Sequence, residues 1–402
     1  MRDVRSDFPM VSKRVNGQPL VYLDSAATSL KPLCVIEAMN RFYSEEYATV
    51  NRAVYSTAQE ASEQYEGARV KVAHFLGVNA DEIVFTRGTT DSINILADSF
   101  AKGLLSPNSR ILVTEMEHHS NLIPWQLAAK ASGASLEAIP MTDEGELRLD
   151  ILEEKLAAGR VAVVALTHVS NTLGTINPIE TIAPLVHKHG AYCIVDGAQS
   201  VAHMPIDLPS LQCDAFCFSA HKMCGPTGLG VLYGKRELLK RLPATRGGSE
   251  MLESATLTSF VEASAPKKFE PGTPPIVEVI GLGAAVDYLS QLTLVEIELW
   301  EKKLSTYLTA GLASLPHVHC VGKAARRGSL QSFHVEGVHP LDLATMLNLR
   351  GIAVRSGHMC TRPILAHFNC PALTRASIAF YNTLEEIDFF LQALEHVLKK
   401  LA

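Results

Sequence analysis

Residues 191–199 read Ala191-Tyr-Cys-Ile-Val-Asp196-Gly-Ala-Gln199, an apolar run that stops on an acid and turns on a glycine. An apolar run without polar alternation is how a strand covered on both faces reads. Working outward, similar short runs recur at 83–85, 111–113, 161–166, 215–218 and 229–232, with helical stretches between them. Strand, loop and helix repeated over 83–233 predict an α/β fold, with a large, mainly parallel sheet between helical layers. Such a sheet places ligands in the crevice beyond the carboxyl ends of its strands. The polar residues that follow each run are therefore the candidates for chemistry.

Upstream of the first run, Ala61, Tyr65, Ala68, Val72 and Phe75 recur at helical spacing and Gly77 can end that helix. Downstream, Pro271-Gly-Thr-Pro-Pro275 breaks the chain, and long helical segments follow. These divide the chain into an N-terminal segment with the large α/β domain (1–275), linking helices (276–315) and a smaller C-terminal α+β domain (316–402). The last helix is expected to open at Thr383, with Glu386 completing a capping box. Ile280-Gly281-Leu-Gly283 imitates a dinucleotide fingerprint but lacks its third small residue and its βαβ setting, so glycine-mediated helix packing is expected there. A nicotinamide dehydrogenase is disfavoured on the same ground.

The 402 residues carry 36 basic and 42 acidic side chains, a net charge of −6, and 47% of them are hydrophobic. That composition excludes a disordered chain and offers no basic footprint for nucleic acid. The uncharged stretch 161–179, as long as any in the chain, contains His168, Asn171 and Asn177, too polar for a membrane span. Without an apolar signal core after Met1, the expectation is a soluble, cytoplasmic protein with reduced thiols. Cys213 and Cys217 have metal-like spacing but no second pair, so a packed strand and no metal site are expected.

One lysine stands apart. Between Asp214 and Lys235 the only formally charged residue is Lys222, in Ser219-Ala-His-Lys222-Met-Cys-Gly. An amine in such apolar, glycine-punctuated surroundings is desolvated, which produces the neutral nucleophile that forms a Schiff base. Asp196, at the end of its strand, could hold the pyridine nitrogen of pyridoxal phosphate protonated, with Gln199 reaching the ring hydroxyl. Thr86-Arg87-Gly88-Thr89-Thr90 follows a strand and opens a helix near 91–100, a ready anion cradle. Ser219 and His221 are further phosphate candidates, and His118, after another strand, could stack on the ring and handle protons.

The strings Asp24-Ser-Ala-Ala-Thr28, Glu117-His118-His119, Val195-Asp196-Gly-Ala-Gln199, Ser219-Ala-His-Lys222 and Arg355-Ser-Gly-His-Met-Cys360 resemble those of cysteine desulfurases, in the right order over nearly the whole chain. The likeness is to the SUF-type branch, which includes selenocysteine lyases, within the class V aminotransferase-like enzymes. It implies a fold-type I pyridoxal phosphate-dependent transferase with a seven-stranded large sheet, and a homodimer. Lys222 would carry the cofactor as a Schiff base and Asp196 would face the pyridinium. Gln199 and Asn171 would face the ring oxygen, and His118 would stack on the ring. Gly88, Thr89, Thr90, Ser219 and His221 would hold the phosphate, with Thr273 supplied by the other subunit. Arg375 would clamp the substrate carboxylate, with Arg355 and Asn171 close to it. Cys360 would take the sulfur of L-cysteine (or selenium of L-selenocysteine) as a persulfide, leaving alanine. Its neighbours Arg355 and Arg362 favour a thiolate, and the other seven cysteines read as small buried hydrophobes.

A selenocysteine lyase or another class V enzyme is the nearest rival reading, and a non-catalytic scaffold in cluster assembly is the rival of a different class. The presence of both Lys222 and Cys360 favours sulfur transfer. Departures from the branch pattern are Asn51-Arg52-Ala-Val-Tyr55, Met359, and Thr361-Arg362. They leave the cofactor residues intact and fall on the substrate and acceptor side. Only fourteen residues separate Cys360 from Arg375, so the thiol has little tether. A SufE-like or SufU-like acceptor would have to bring its own thiol in, on the way to a scaffold for iron–sulfur cluster assembly.

Overall fold

Seven strands make the large sheet: β1 (Ile83–Thr86), β2 (Arg110–Thr114), β3 (Ser135–Ile139), β4 (Val161–Thr167), β5 (Tyr192–Asp196), β6 (Ala215–Ser219) and β7 (Gly230–Gly234). Their order is β1-β7-β6-β5-β4-β2-β3. β7 runs antiparallel to both its neighbours, and the other pairings are parallel. The protein is described by a computed structural model, which covers residues 3–51 and 53–401. Arg52, in one of the departing segments, lies outside the described residues.

Six of the strands match the apolar runs to within a residue or so. β3 is the strand those runs omit. It forms an edge of the sheet, and four of its five residues are partly or fully exposed, so no continuous apolar run marks it. Two large apolar clusters cover the sheet, one on each face. Cys193 and Cys213 are buried in one and Cys217 in the other. Cys224 is buried too, whereas Cys34 is exposed and Cys320 and Cys370 are partly so. The uniform burial expected of these cysteines therefore fails for Cys34, in the first turn of a short surface helix (Leu33–Arg41), and in part for Cys320 and Cys370.

The helices that matter for the site are α1 (Ser56–Leu76), α2 (Thr89–Gly103), α3 (His119–Ser132), α4 (Ile276–Leu292), α5 (Leu294–Ser314), α6 (Arg362–His367) and α7 (Leu384–Leu401). Gly77 ends α1 in the left-handed conformation at φ 72°. A Cβ on Gly281 would lie 2.8 Å from Met39 Sδ and one on Gly283 3.0 Å from Ala68 Cβ, so these glycines do serve helix packing. Among the described residues no single helix is long and apolar enough to cross a membrane.

The second sheet is antiparallel, with β8 (Val318–Val321), β9 (Leu330–Val335), β10 (Arg355–Gly357) and β11 (Leu373–Ser377) in the order β8-β9-β11-β10. Its core takes Leu304, Leu308 and Leu312 from α5 and Ile387, Phe390 and Leu394 from α7. α7 is capped as its sequence predicts: the Thr383 N–H donates to Glu386 Oε2 at 3.3 Å, and the Glu386 N–H to Thr383 Oγ1 at 3.2 Å. The N-terminal segment also joins this half. Val21 and Tyr22 pair in parallel with Ile352 and Ala353, and Asp24 bridges to Ser377 at the end of β11.

Candidate active site

Five parallel strands end on the same edge of the large sheet, and each delivers a polar loop there. β1 leads to Gly88, β2 to His118, β4 to Asn171, β5 to Asp196 and Gln199, and β6 to Lys222. Facing them across a cavity of about 460 Å³ is the segment from Arg355 to Cys360, together with Arg375. Thr89, Thr90, His118, Asn171, Asp196, Gln199, Ser219, His221, Lys222, Arg355, Cys360 and Arg375 all line this one space. Gly88 lies just behind it. Thr273 is exposed and outside the cavity of its own chain.

Asp196 is the last residue of β5, level with Thr167 on one neighbour and Cys217 on the other. It is 4% exposed, and its Oδ1 accepts the Ala198 N–H at 2.9 Å. Burial pushes its carboxyl pKa up, and the charge of Lys222 works against that rise. A cation or N–H donor placed in the cavity beside it would relieve the same burial cost. Lys222 closes a single helical turn after β6, where burial lowers its ammonium pKa to about 8, against the opposing pull of Asp196. An amine and an acid so paired are what a pyridine aldehyde needs.

The anion cradle forms where β1 turns into α2. Gly88 stands ahead of the helix at φ 148°, and the Thr89 N–H donates to Ser219 Oγ at 2.8 Å while their hydroxyls meet at 2.7 Å. A Cβ on Gly230 of β7 would lie 2.3 Å from Gly88 Cα, so a side chain there would expel the turn. The helix N-terminus with Thr89, Thr90, Ser219 and His221 around it fits a phosphate.

His118 caps α3: its Nδ1 accepts the Ser120 N–H at 3.1 Å. Accepting at Nδ1 leaves the proton of the neutral ring on Nε2. Burial first, then the charges of Lys222, His119 and Arg375, hold its pKa down at about 4. Just before it, Glu117 is fully buried and accepts from Thr114 Oγ1 (2.5 Å), Asn121 Nδ2 (2.5 Å) and the Thr167 N–H (2.9 Å). Burial raises its pKa to about 8. Glu117 thus ties the ends of β2 and β4 to α3, a role that its place in the Glu-His-His string alone did not reveal.

Arg375 is 3% exposed; its Nη1 donates to the Asn171 carbonyl at 2.7 Å, and its Nη2 lies 3.4 Å from Asp24 Oδ1. Its Nε has no partner among the described residues. Burial lowers its pKa to about 10, against the pull of Asp24. Asp24 also pairs with Arg355 at 2.9 Å, so one carboxylate positions both guanidiniums. Sequence reasoning quoted Asp24 without giving it a task; an acid directly after a short apolar segment was the available signal. The Gln199 amide is fixed by donating to the Ala26 carbonyl at 2.7 Å.

Cys360 is partly exposed to the cavity on a loop between β10 and α6. Its carbonyl accepts the His119 N–H at 2.8 Å, and its own N–H donates to His358 Nδ1 at 3.0 Å. Met359 and Cys360 both take left-handed backbone, φ 50° and 57°, which costs roughly 1–3 kcal/mol per residue.

The family model described as Aminotransferase class-V matches residues 21–390. A probable cysteine desulfurase of Halalkalibacterium halodurans is 45% identical, over 98% of this chain and 97% of its own length. A cysteine desulfurase of Klebsiella pneumoniae is 43% identical, over 100% and 99%. Among solved structures, an apo cysteine desulfurase from Thermococcus onnurineus superposes with a TM-score of 0.95 at 37% identity, covering 100% of this chain and 99% of its own. One from Escherichia coli gives 0.92 at 38% identity, covering 99% and 98%.

Proposed function

This chain belongs to the class-V aminotransferase family, within its cysteine desulfurases, and from that premise we propose that it takes the sulfur of L-cysteine onto Cys360 and releases L-alanine. The observation that carries this reading is one cavity lined at once by Lys222, Asp196, Arg375 and a cysteine thiol. Pyridoxal phosphate held by Lys222, Asp196, His118, Gln199, Asn171 and the Gly88–Ser219 cradle supplies an electron sink for the substrate carbon.

The protein's own groups do the rest. Arg375, steadied by Asp24 and Asn171, binds the substrate carboxylate through a two-pronged contact, with Arg355 beside it. Lys222, poised near neutral pH, accepts and returns the Cα proton. His118, neutral with its proton on Nε2, can pass that proton on. The Cys360 thiolate attacks the substrate sulfur: an S–S bond forms, the Cβ–S bond breaks, and the bonding pair stays with the carbon. The carbon is then protonated and leaves as alanine. A thiol is the group that an aminotransferase in this position would not need.

The same reading takes the enzyme as a cytoplasmic homodimer, with the partner's copy of Thr273 completing the phosphate site. Exposed Val54, Tyr55, Leu257, Phe260 and Val261 supply apolar surface for such pairing. It also takes a SufE-like or SufU-like thiol protein as the persulfide acceptor, feeding iron–sulfur cluster assembly. α6 and β11 occupy most of the chain between Cys360 and Arg375, which supports a thiol that stays home.

The test is the purified protein incubated with L-cysteine, with alanine and sulfide measured, and the cofactor adduct mapped after borohydride reduction. The adduct should lie on Lys222. Cys360→Ala should stay coloured and bind cysteine, yet lose alanine formation by about a hundredfold or more. An adduct on another lysine, or near-normal cysteine turnover in Cys360→Ala, would sink the reading.

A further inference from the structure

The acceptor cysteine lies between two residues that depart from the branch pattern, Met359 and Thr361, and both are buried. Met359 is 7% exposed and packs into an apolar cluster with Met116, Leu173 and Leu373. Its carbonyl accepts from Asn171 Nδ2 at 2.8 Å. Thr361 is fully buried, and its hydroxyl meets that of Thr172, also fully buried, at 2.7 Å. Thr172 belongs to the loop after β4, the same loop that places Asn171 against Arg375.

Cys360 is therefore pinned on both sides, by the packing and carbonyl contact of Met359 on one and by the buried hydroxyl of Thr361 on the other. The pinned backbone is the left-handed pair Met359–Cys360, which unconstrained non-glycine residues leave readily. Shut away from water, the Thr361 hydroxyl also reaches the His358 carbonyl at 3.3 Å, so directional bonds hold it from both the Thr172 side and its own loop. An apolar anchor alone would fix depth but not rotation.

We propose that Thr361, Thr172 and Met359 are positioning residues that clamp the Cys360 loop and hold the thiol at its attack distance from the substrate sulfur. The clamp acts on sulfur transfer and leaves cofactor and carboxylate binding alone. This rests on the reading of Cys360 as the sulfur acceptor. Selenocysteine separates the two steps, because selenium is the better leaving group and can depart with less help from a thiolate.

The experiment uses the holoenzyme with Thr361→Val and Thr172→Val, which match threonine in shape and delete one hydroxyl each. Cysteine kcat should fall about tenfold in either variant with KM unchanged, and the double variant should be no worse than the weaker single. Selenocysteine turnover and the cofactor spectrum should stay within about twofold of the parent, while iodoacetamide should alkylate Cys360 at least about fivefold faster. Met359→Ala, which cuts the other anchor, should show the same split and stands in if a valine variant does not fold. Cysteine kcat within about twofold of the parent in all the variants that fold would overturn the proposal, as would a parallel fall with both substrates. Retained cysteine turnover in Cys360→Ala would instead overturn the acceptor reading itself, so the two failures are distinguishable.

Discussion

Replacing the charge of Asp196 tests how this site prepares its lysine. With its pKa held at about 8, Lys222 is neutral in about one molecule in eleven at pH 7. An ordinary lysine near 10.4 is neutral in about one in 2,500, so the cavity multiplies the nucleophilic form about 230-fold, or about 3 kcal/mol. The sign follows from the causes: burial disfavours the ammonium and lowers the pKa, while Asp196 favours it and raises the pKa. Asp196→Asn removes the raising charge, so the Lys222 midpoint should move below 8. The assay is the initial rate at which cofactor-free protein captures pyridoxal phosphate from pH 6 to 10, the product trapped by borohydride and mapped to Lys222. In the parent the rate should climb about tenfold per pH unit below the midpoint and level off above pH 8. In Asp196→Asn the plateau should begin at lower pH, whatever happens to overall affinity. A parent rate still climbing at pH 10, or a midpoint that rises in the variant, would refute the reasoning.

Glu117 is buried with a raised pKa near 8, so the folded state prefers its neutral form; that contribution is fully present below the unfolded value near 4.5 and lost as pH rises through 8. Glu117→Gln should therefore flatten the fall in Tm between pH 5 and 8, and an unchanged slope would count against it. Arg375→Lys keeps the charge but loses the fork, so KM for cysteine should rise by about tenfold or more with cofactor binding intact. Gly230→Ala would place a methyl 2.3 Å from Gly88 Cα, backbone that cannot step aside, so cofactor affinity should drop at least about tenfold in a fluorescence titration, with a lower Tm.

The parts legible in the sequence were those that local chemistry writes in one place. A strand buried on both faces must be apolar throughout, and the loop after it must supply whatever polarity the crevice contains. That logic points to Lys222, Asp196, Gln199, Gly88 and His118, all of which stand at or just after the carboxyl ends of strands. It failed at β3, whose exposed edge carries Ser135 and Glu137 and so has no continuous apolar signature.

The role of Asp24 was illegible for a different reason. Its place beside Arg375 and Arg355 depends on Val21 and Tyr22 pairing with Ile352 and Ala353 near the other end of the chain. Two-residue strands leave no periodicity to read, and their pairing is decided by the fit of the N-terminal segment against the small sheet. The Thr172–Thr361 bridge is of the same kind: each threonine alone is an unremarkable buried hydroxyl, and only the closing of the second sheet over the first brings them together. The residues proposed for the cofactor follow from the strand edge that carries them, whereas those that orient Arg375 and the Cys360 loop arise between the two sheets. Substitutions at Asp24 should consequently weaken cysteine binding, and those at Thr172 or Thr361 the turnover of bound cysteine, while all three spare cofactor capture.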